Sequence, residues 1–183
     1  MKRLIFALFF LPNMVFAQSF TPNANSVYID QIGNSNNITV TQVDFNKNVV
    51  ILNRGDQNTI DINQSGSGQQ SAFVGTVPSG YSNGQYVWST SNSNNNNMFS
   101  IAQSGSGNHT ASINLDTTVA SNNNIASITQ TGNANANKSF DLYLSGSQIQ
   151  VTVVQDNPNQ ANSGSMSIQC VSPPCTGYSY IRH

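Results

Sequence analysis

One spacing constrains this chain more than any other feature. Side-chain amides fall at Gln31, Gln42, Asn53 and Gln64, a constant step of 11 residues, and two steps make a unit of 22. The first unit opens Gln31-Ile32-Gly33-Asn34-Ser35-Asn36 and the second Asn53-Arg54-Gly55-Asp56-Gln57-Asn58. Related stretches are Gln64-Ser65-Gly66-Ser67-Gly68-Gln69, Gln103-Ser104-Gly105-Ser106-Gly107-Asn108 and Gln130-Thr131-Gly132-Asn133-Ala134-Asn135. A looser copy runs from Leu144-Ser145-Gly146 to Gln155. A fixed internal period of this length marks a repeat architecture, in which each unit buries its apolar face only by stacking on neighbours.

Between the glycine-rich points the patterning has period two. Val27, Ile29 and Gln31 share one face, as do Asn36, Ile38, Val40 and Gln42; Val49, Ile51, Asn53 and Asn58, Ile60, Ile62, Gln64 repeat them. Such alternation of β-branched residues reads as strands, and recurring Gly and Asn exclude long helices. An isolated buried amide costs about 1–3 kcal/mol when unsatisfied. Stacked layer over layer, each amide donates to one neighbour and accepts from the other, the ladder of cross-β packing. Glycine two residues later tolerates the left-handed backbone of a sharp arc. The expected fold is therefore all-β, a β-solenoid of stacked strand–arc–strand layers with about 22 residues each. The expected ladder residues are Gln31, Gln42, Asn53, Gln64, Gln103, Asn114, Gln130 and Gln155. The expected arc residues are Gly33, Asn36, Gly55, Asn58, Gly66, Gly105, Asn108, Gly132, Asn135 and Gly146.

Composition narrows the function classes. Of 183 residues, 28 are Asn, 15 Gln, 25 Ser and 13 Thr, and hydrophobic residues make up 37%, below the roughly 45–50% of ordinary globular domains. A conventional enzyme core lacks material. Formal net charge is −1, which argues against nucleic acid as a partner. No nucleophile–base or metal constellation is visible, so neither enzyme nor cofactor is expected. His109, in an arc, and His183, at the end, read as exposed polar filler. Asp30 and Asp61 fall on outward faces and Asp56 in an arc. Outward Asp and Lys read either as gatekeepers against premature stacking or as ordinary solvated positions.

The chain divides as follows. Residues 1–17 carry Lys2-Arg3, an apolar run to Leu11 and Val15-Phe16-Ala17, the pattern of a secretory signal peptide. A flexible segment is expected over 18–25, repeats over 26–155 with an irregular loop at 78–97, and a last partial strand with a cysteine-containing tail over 156–183. No integral membrane segment is expected in the mature chain. Tyr81, Tyr86 and Trp88 sit in the irregular loop and either pack on the solenoid or make adhesive contacts. Cys170 and Cys175 read as a local disulfide in an exported protein, with two free thiols as the alternative. Two thiols without a nearby His or third Cys do not fill a tetrahedral metal site.

Gln-x-Gly-x-x-Asn, followed by Gln eleven residues after the first, resembles the curlin repeat. The match is nearest at Gln103-Ser104-Gly105-Ser106-Gly107-Asn108-His109-Thr110 and spans roughly 26–75 and 98–155. The sequence departs from the pattern at Asn53, Asn114, Asp141 and Leu144, and the step from Gln103 to Gln130 is 27, with about five residues inserted near Asp116 to Asn123. The resemblance implies a secreted, cell-surface amyloid fibre of the curli type, with roles in biofilm matrix and adhesion. It implies as partners the chain itself, a related curlin subunit, an outer-membrane secretion channel and accessory proteins. The alternative is a monomeric β-solenoid adhesin or surface-binding module, facing glycan or ice, with the cysteine tail as its cap.

Overall fold

Strands form where apolar and polar residues alternate, and arcs form where Gly, Asn and Ser interrupt them. The computed structural model describes residues 24–76, 80–82, 85–87, 94–116 and 119–183. The expected signal peptide, most of the expected flexible segment and much of the irregular loop, Trp88 included, lie outside the described residues.

The first sheet contains β1 (Ser26–Ile32), β3 (Lys47–Arg54), β5 (Gln70–Thr76), β9 (His109–Leu115), β11 (Lys138–Ser145) and β13 (Asn162–Gln169), in that spatial order. The second contains β2 (Asn37–Gln42), β4 (Thr59–Ser65), β8 (Met98–Gly105), β10 (Ile125–Gly132), β12 (Ile149–Gln155) and β14 (Cys175–Arg182). All neighbours within these sheets pair in parallel. The chain thus lays one strand in each sheet per layer and climbs through six layers, β1/β2 to β13/β14. A short antiparallel hairpin, β6 (Gly80–Ser82) and β7 (Gln85–Val87), is inserted between the two strands of the third layer. The fold is the all-β solenoid expected from the repeat.

Parallel in-register pairing turns each core position into a column. Ile29, Ile51, Val74, Ile113 and Leu142 stack in the first sheet. Val40, Ile62, Ile101, Ile128 and Val153 stack in the second. Residue size varies down the columns so that volume is shared between layers. The fourth layer supplies Ala111 and Ala126 between layers that carry Phe99 and Phe140. In the last layer Gly164 leaves room for Tyr180, whose ring lies 4.8 Å from that of Phe140.

One expectation about the chain's later half changes. The segment 156–183, expected as a partial strand and tail, forms a complete sixth layer. Its first strand keeps period two through Met166 and Ile168, but serine fills the outward positions and no Gln ends the second strand, so the repeat signal is lost. The extra residues after Asp116 lengthen one arc and leave the register unbroken, because Gln130 still pairs with Gln103.

Candidate functional site

Five glutamines ending the strands of the second sheet form one continuous column. Gln42 Nε2 donates to Gln64 Oε1 at 3.0 Å, Gln64 to Gln103 at 2.8 Å, Gln103 to Gln130 at 2.9 Å and Gln130 to Gln155 at 2.9 Å. Every bond points the same way along the solenoid axis. Each Nε2 also donates across the interior to a backbone carbonyl of the first sheet: Ser26, Asn48, Ser71, Thr110 and Ser139 respectively. Gln64, Gln103, Gln130 and Gln155 are fully buried. The interior therefore holds a hydrogen-bonded polar file beside its apolar columns, and the file couples each layer to the next.

The remaining amides expected in this ladder are placed elsewhere. Gln31 pairs with Asn53 in the first sheet, but Gln31 Oε1 and Asn53 Nδ2 have no hydrogen-bond partner, while Asn53 Oδ1 accepts from Asn58 within its own layer at 3.1 Å. Further along, this position is apolar, with Leu115, Leu144 and Ile168 in register. The expectation for Asn114 is corrected. It lies one residue out of phase, on the outward face opposite Gly75 and Tyr143, and bonds Ser112 and Asp141 instead. A one-residue offset along a strand moves a side chain to the other face.

The arcs joining the two strands of the first four layers have their own ladder. Asn58 N donates to Asn36 Oδ1, Asn97 N to Asn58 Oδ1, Asn124 N to Asn97 Oδ1 and Ile149 N to Asn124 Oδ1, each at 2.9 Å. Their Nδ2 groups donate to arc carbonyls of Gly55, Asn94, Ser121 and Gly146. Asn36 and Asn58 were expected in arcs; Asn97 and Asn124 were not singled out. The signal available was the shared step from Asn to Gln, six residues at 36–42, 58–64, 97–103 and 124–130. Of the expected glycines, Gly66 shows why no side chain fits: its φ is 100° and a Cβ would lie 2.2 Å from the Gly105 carbonyl oxygen. Gly33, Gly55, Gly105, Gly132 and Gly146 are likewise in or bordering arcs. On the opposite side, Asn108 Oδ1 accepts from Gln69 N at 3.0 Å, and Asn137, rather than the exposed Asn135, accepts from Asn108 N at 2.9 Å.

The arcs between layers are held from inside by a buried polar column. Lys47, Gln70, His109 and Lys138 are in register at the start of their strands and each is 1–2% exposed. Lys47 Nζ donates to the carbonyls of Phe45, Gly66 and Gly68, and Lys138 Nζ to those of Asn157 and Gln160. Gln70 Nε2 donates to Ser65 O at 2.7 Å and His109 Nε2 to Ser104 O at 2.9 Å. This overturns the reading of His109 as exposed filler and of the lysines as outward residues. Arc carbonyls turned inward need donors, and the strand ends supply them. Burial lowers the pKa of both lysines, with Asp44 opposing it at Lys47 and Asp156 at Lys138. Burial also holds His109 below its ordinary 6.5, so its ring is neutral and Nδ1 is a buried acceptor without a partner. Asp30, outward as expected, lies 3.7 Å from Arg54, and Asp61 is exposed.

The last layer is built differently. Cys170 and Cys175 form a disulfide across its arc, where the asparagine ladder has ended. Arg182, in register with Gln155, stands at the place of the next glutamine. Exposed His183 bonds Asp156 at 2.7 Å. Among the described residues no group of three or more His, Cys or Asp side chains is placed to hold a metal ion. No family model matches the chain, and no curated protein or solved structure matches it.

Proposed function

We propose that this protein is a secreted subunit of a curli-like cell-surface fibre, built by end-to-end stacking of its layers, with no catalytic activity and no cofactor. The observation that carries the reading is the one-directional glutamine file from Gln42 to Gln155, running parallel to two sheets whose terminal strands are unpaired on their outer edges among the described residues. Unpaired parallel edges template further strands. Low charge on the chain leaves little repulsion against that growth. Resemblance of the repeat to curlins supports export through an outer-membrane channel, help from a related subunit, and service in biofilm and adhesion. The disulfide is consistent with an oxidising compartment.

The test is assembly of the purified mature chain. It is expected to pass from soluble protein to thioflavin-binding fibres, with the lag removed by preformed seeds. A chain that stays monomeric for days at about tens of micromolar contradicts the reading. The second reading, a capped monomeric binding module, draws on the disulfide-bonded sixth layer that lacks the ladder glutamine. Under it, removal of residues 175–183 releases assembly; under the fibre reading, the same removal slows it.

A further inference from the structure

The two ends of the solenoid differ in charge and in hydrogen-bonding sense. The first layer, residues 25–46, carries Asp30 and Asp44 and no Lys or Arg. The sixth, residues 162–183, carries Arg182 and His183 and no Asp. Asp30 is met by Arg54 of the second layer, Asp44 by Lys47, and His183 by Asp156 of the preceding arc. Arg182 lies over the Tyr180 ring, 5.8 Å from its centroid, and is exposed. The glutamine file has the same polarity. Each Nε2 points toward the sixth layer, so the file begins at the carboxamide oxygen of Gln42, on the first layer. Arginine presents donors only.

We infer that the sixth layer of one copy seats on the first layer of the next in a fixed register, placing Arg182 of one copy against Gln42 and Asp44 of the other. This rests on the fibre reading and specifies its joint. The register continues three columns. Gln42 follows Arg182 as Gln64 follows Gln42. Thr39 follows Ser179 on the outer face, where Thr39 already pairs with Asp61 and Ser179 with Thr152. Asn25 follows Asn162, as Lys47 N already bonds Asn25 Oδ1. At the joint Arg182 gives the Gln42 oxygen the donor it lacks, and the half-buried Val27, Ile29, Ile38 and Val40 of the first layer meet Met166 and Tyr180 of the sixth. Joining the donor-only Arg182 end to the acceptor end of the file gives the fibre a polarity, since two first layers would set one Gln42 oxygen against another.

Two single variants on exposed outer-face positions, Thr39→Cys and Ser179→Cys, test this in the full mature chain. Paired parallel strands about 4.8 Å apart bring their Cα atoms within disulfide reach. Mixed and mildly oxidised, the two variants are expected to give a covalent heterodimer, with none from Asp61→Cys mixed with Ser179→Cys. Arg182→Ala is expected to slow elongation about tenfold, the loss of one hydrogen bond to the Gln42 oxygen, and Arg182→Gln, which keeps an N–H donor in that column, to restore it. The heterodimer supports the joint whether or not fibres form, so it stands apart from the fibre reading. Fibres without the heterodimer, or Thr39→Cys homodimers in its place, overturn the joint and leave the fibre reading intact. Neither fibres nor heterodimer overturns both.

Discussion

At the scale of single residues, the fold depends on polar side chains that work inside. Gln103→Ala removes a rung, leaves the Oε1 of Gln130 buried without a donor, and leaves the Nε2 of Gln64 with only its bond to the Asn48 carbonyl. A loss of about 2–5 kcal/mol in unfolding free energy is expected by urea titration, against about 0.5 kcal/mol or less for the outward Asn63→Ala. His109 gives a pH dependence. Its folded pKa lies below 6.5, so as pH falls through 6.5 the unfolded chain takes up a proton that the folded chain refuses. Stability contributed at this site is therefore whole above 6.5 and declines below it, until the pH passes the folded value. His109→Gln reproduces the carbonyl bond made by Gln70 one layer away. The variant is expected to lose less stability than the parent between pH 7.5 and 5, and equal losses would remove His109 as the cause. The glutamine file was legible in the sequence because the 11-residue step leads through Gln42 to Gln64, and Gln64, Gln103 and Gln130 are each followed two residues later by Gly. The buried lysines were not legible. Lysine ordinarily faces water, and only the arc geometry reveals the inward carbonyls that hold Nζ. Asn97 was hidden for another reason: it ends the run Asn94-Asn95-Asn96-Asn97, which reads as low complexity.

At the scale of elements, strands follow from alternation and arcs from backbone that only some residues tolerate. Gly66→Ala adds a Cβ onto the Gly105 carbonyl at a φ of 100°. A fall in stability of about 1–3 kcal/mol is expected, with the arc's amides losing hydrogen-exchange protection first. In the sixth layer the disulfide closes the arc that asparagine closes in earlier layers. Cys170→Ser with Cys175→Ser is expected to raise exchange in β13 and β14 while β3, β4, β8 and β10 stay protected. Uniform exchange across all layers would show that the arc needs no clamp. β2 and β4 were readable because Ile38, Val40, Ile60 and Ile62 fall at strict period two, and β1 and β3 because Val27, Ile29, Val49 and Ile51 keep the same inward positions among further apolar residues. β13 and β14 were not, because Ser163-Gly164-Ser165 and Thr176-Gly177-Tyr178 carry few β-branched residues and a β-bulge shifts the register between Ile149 and Val151. What orders them is stacking on β11 and β12, which local sequence does not encode.

At the scale of the whole molecule, the six layers form a stack whose terminal strands β1, β2, β13 and β14 each pair on one side only among the described residues. A capped solenoid stops; one with complementary faces grows. The outer face of the second sheet carries Thr39, Ser127, Thr129 and Thr152, polar side chains that leave the sides of the stack wettable. The period of 22 predicted this architecture, but the order of the ends and their opposite charge emerged only once the last layer was seen to be a layer. The most direct measurement is fibre X-ray diffraction of the aligned, assembled mature chain. A meridional reflection at about 4.8 Å with an equatorial one near 10 Å is the expected result, since strands lie across the axis of growth and two sheets face each other. A pattern without the meridional 4.8 Å spacing, from ordered assemblies of the same chain, would contradict stacking of these layers along the fibre.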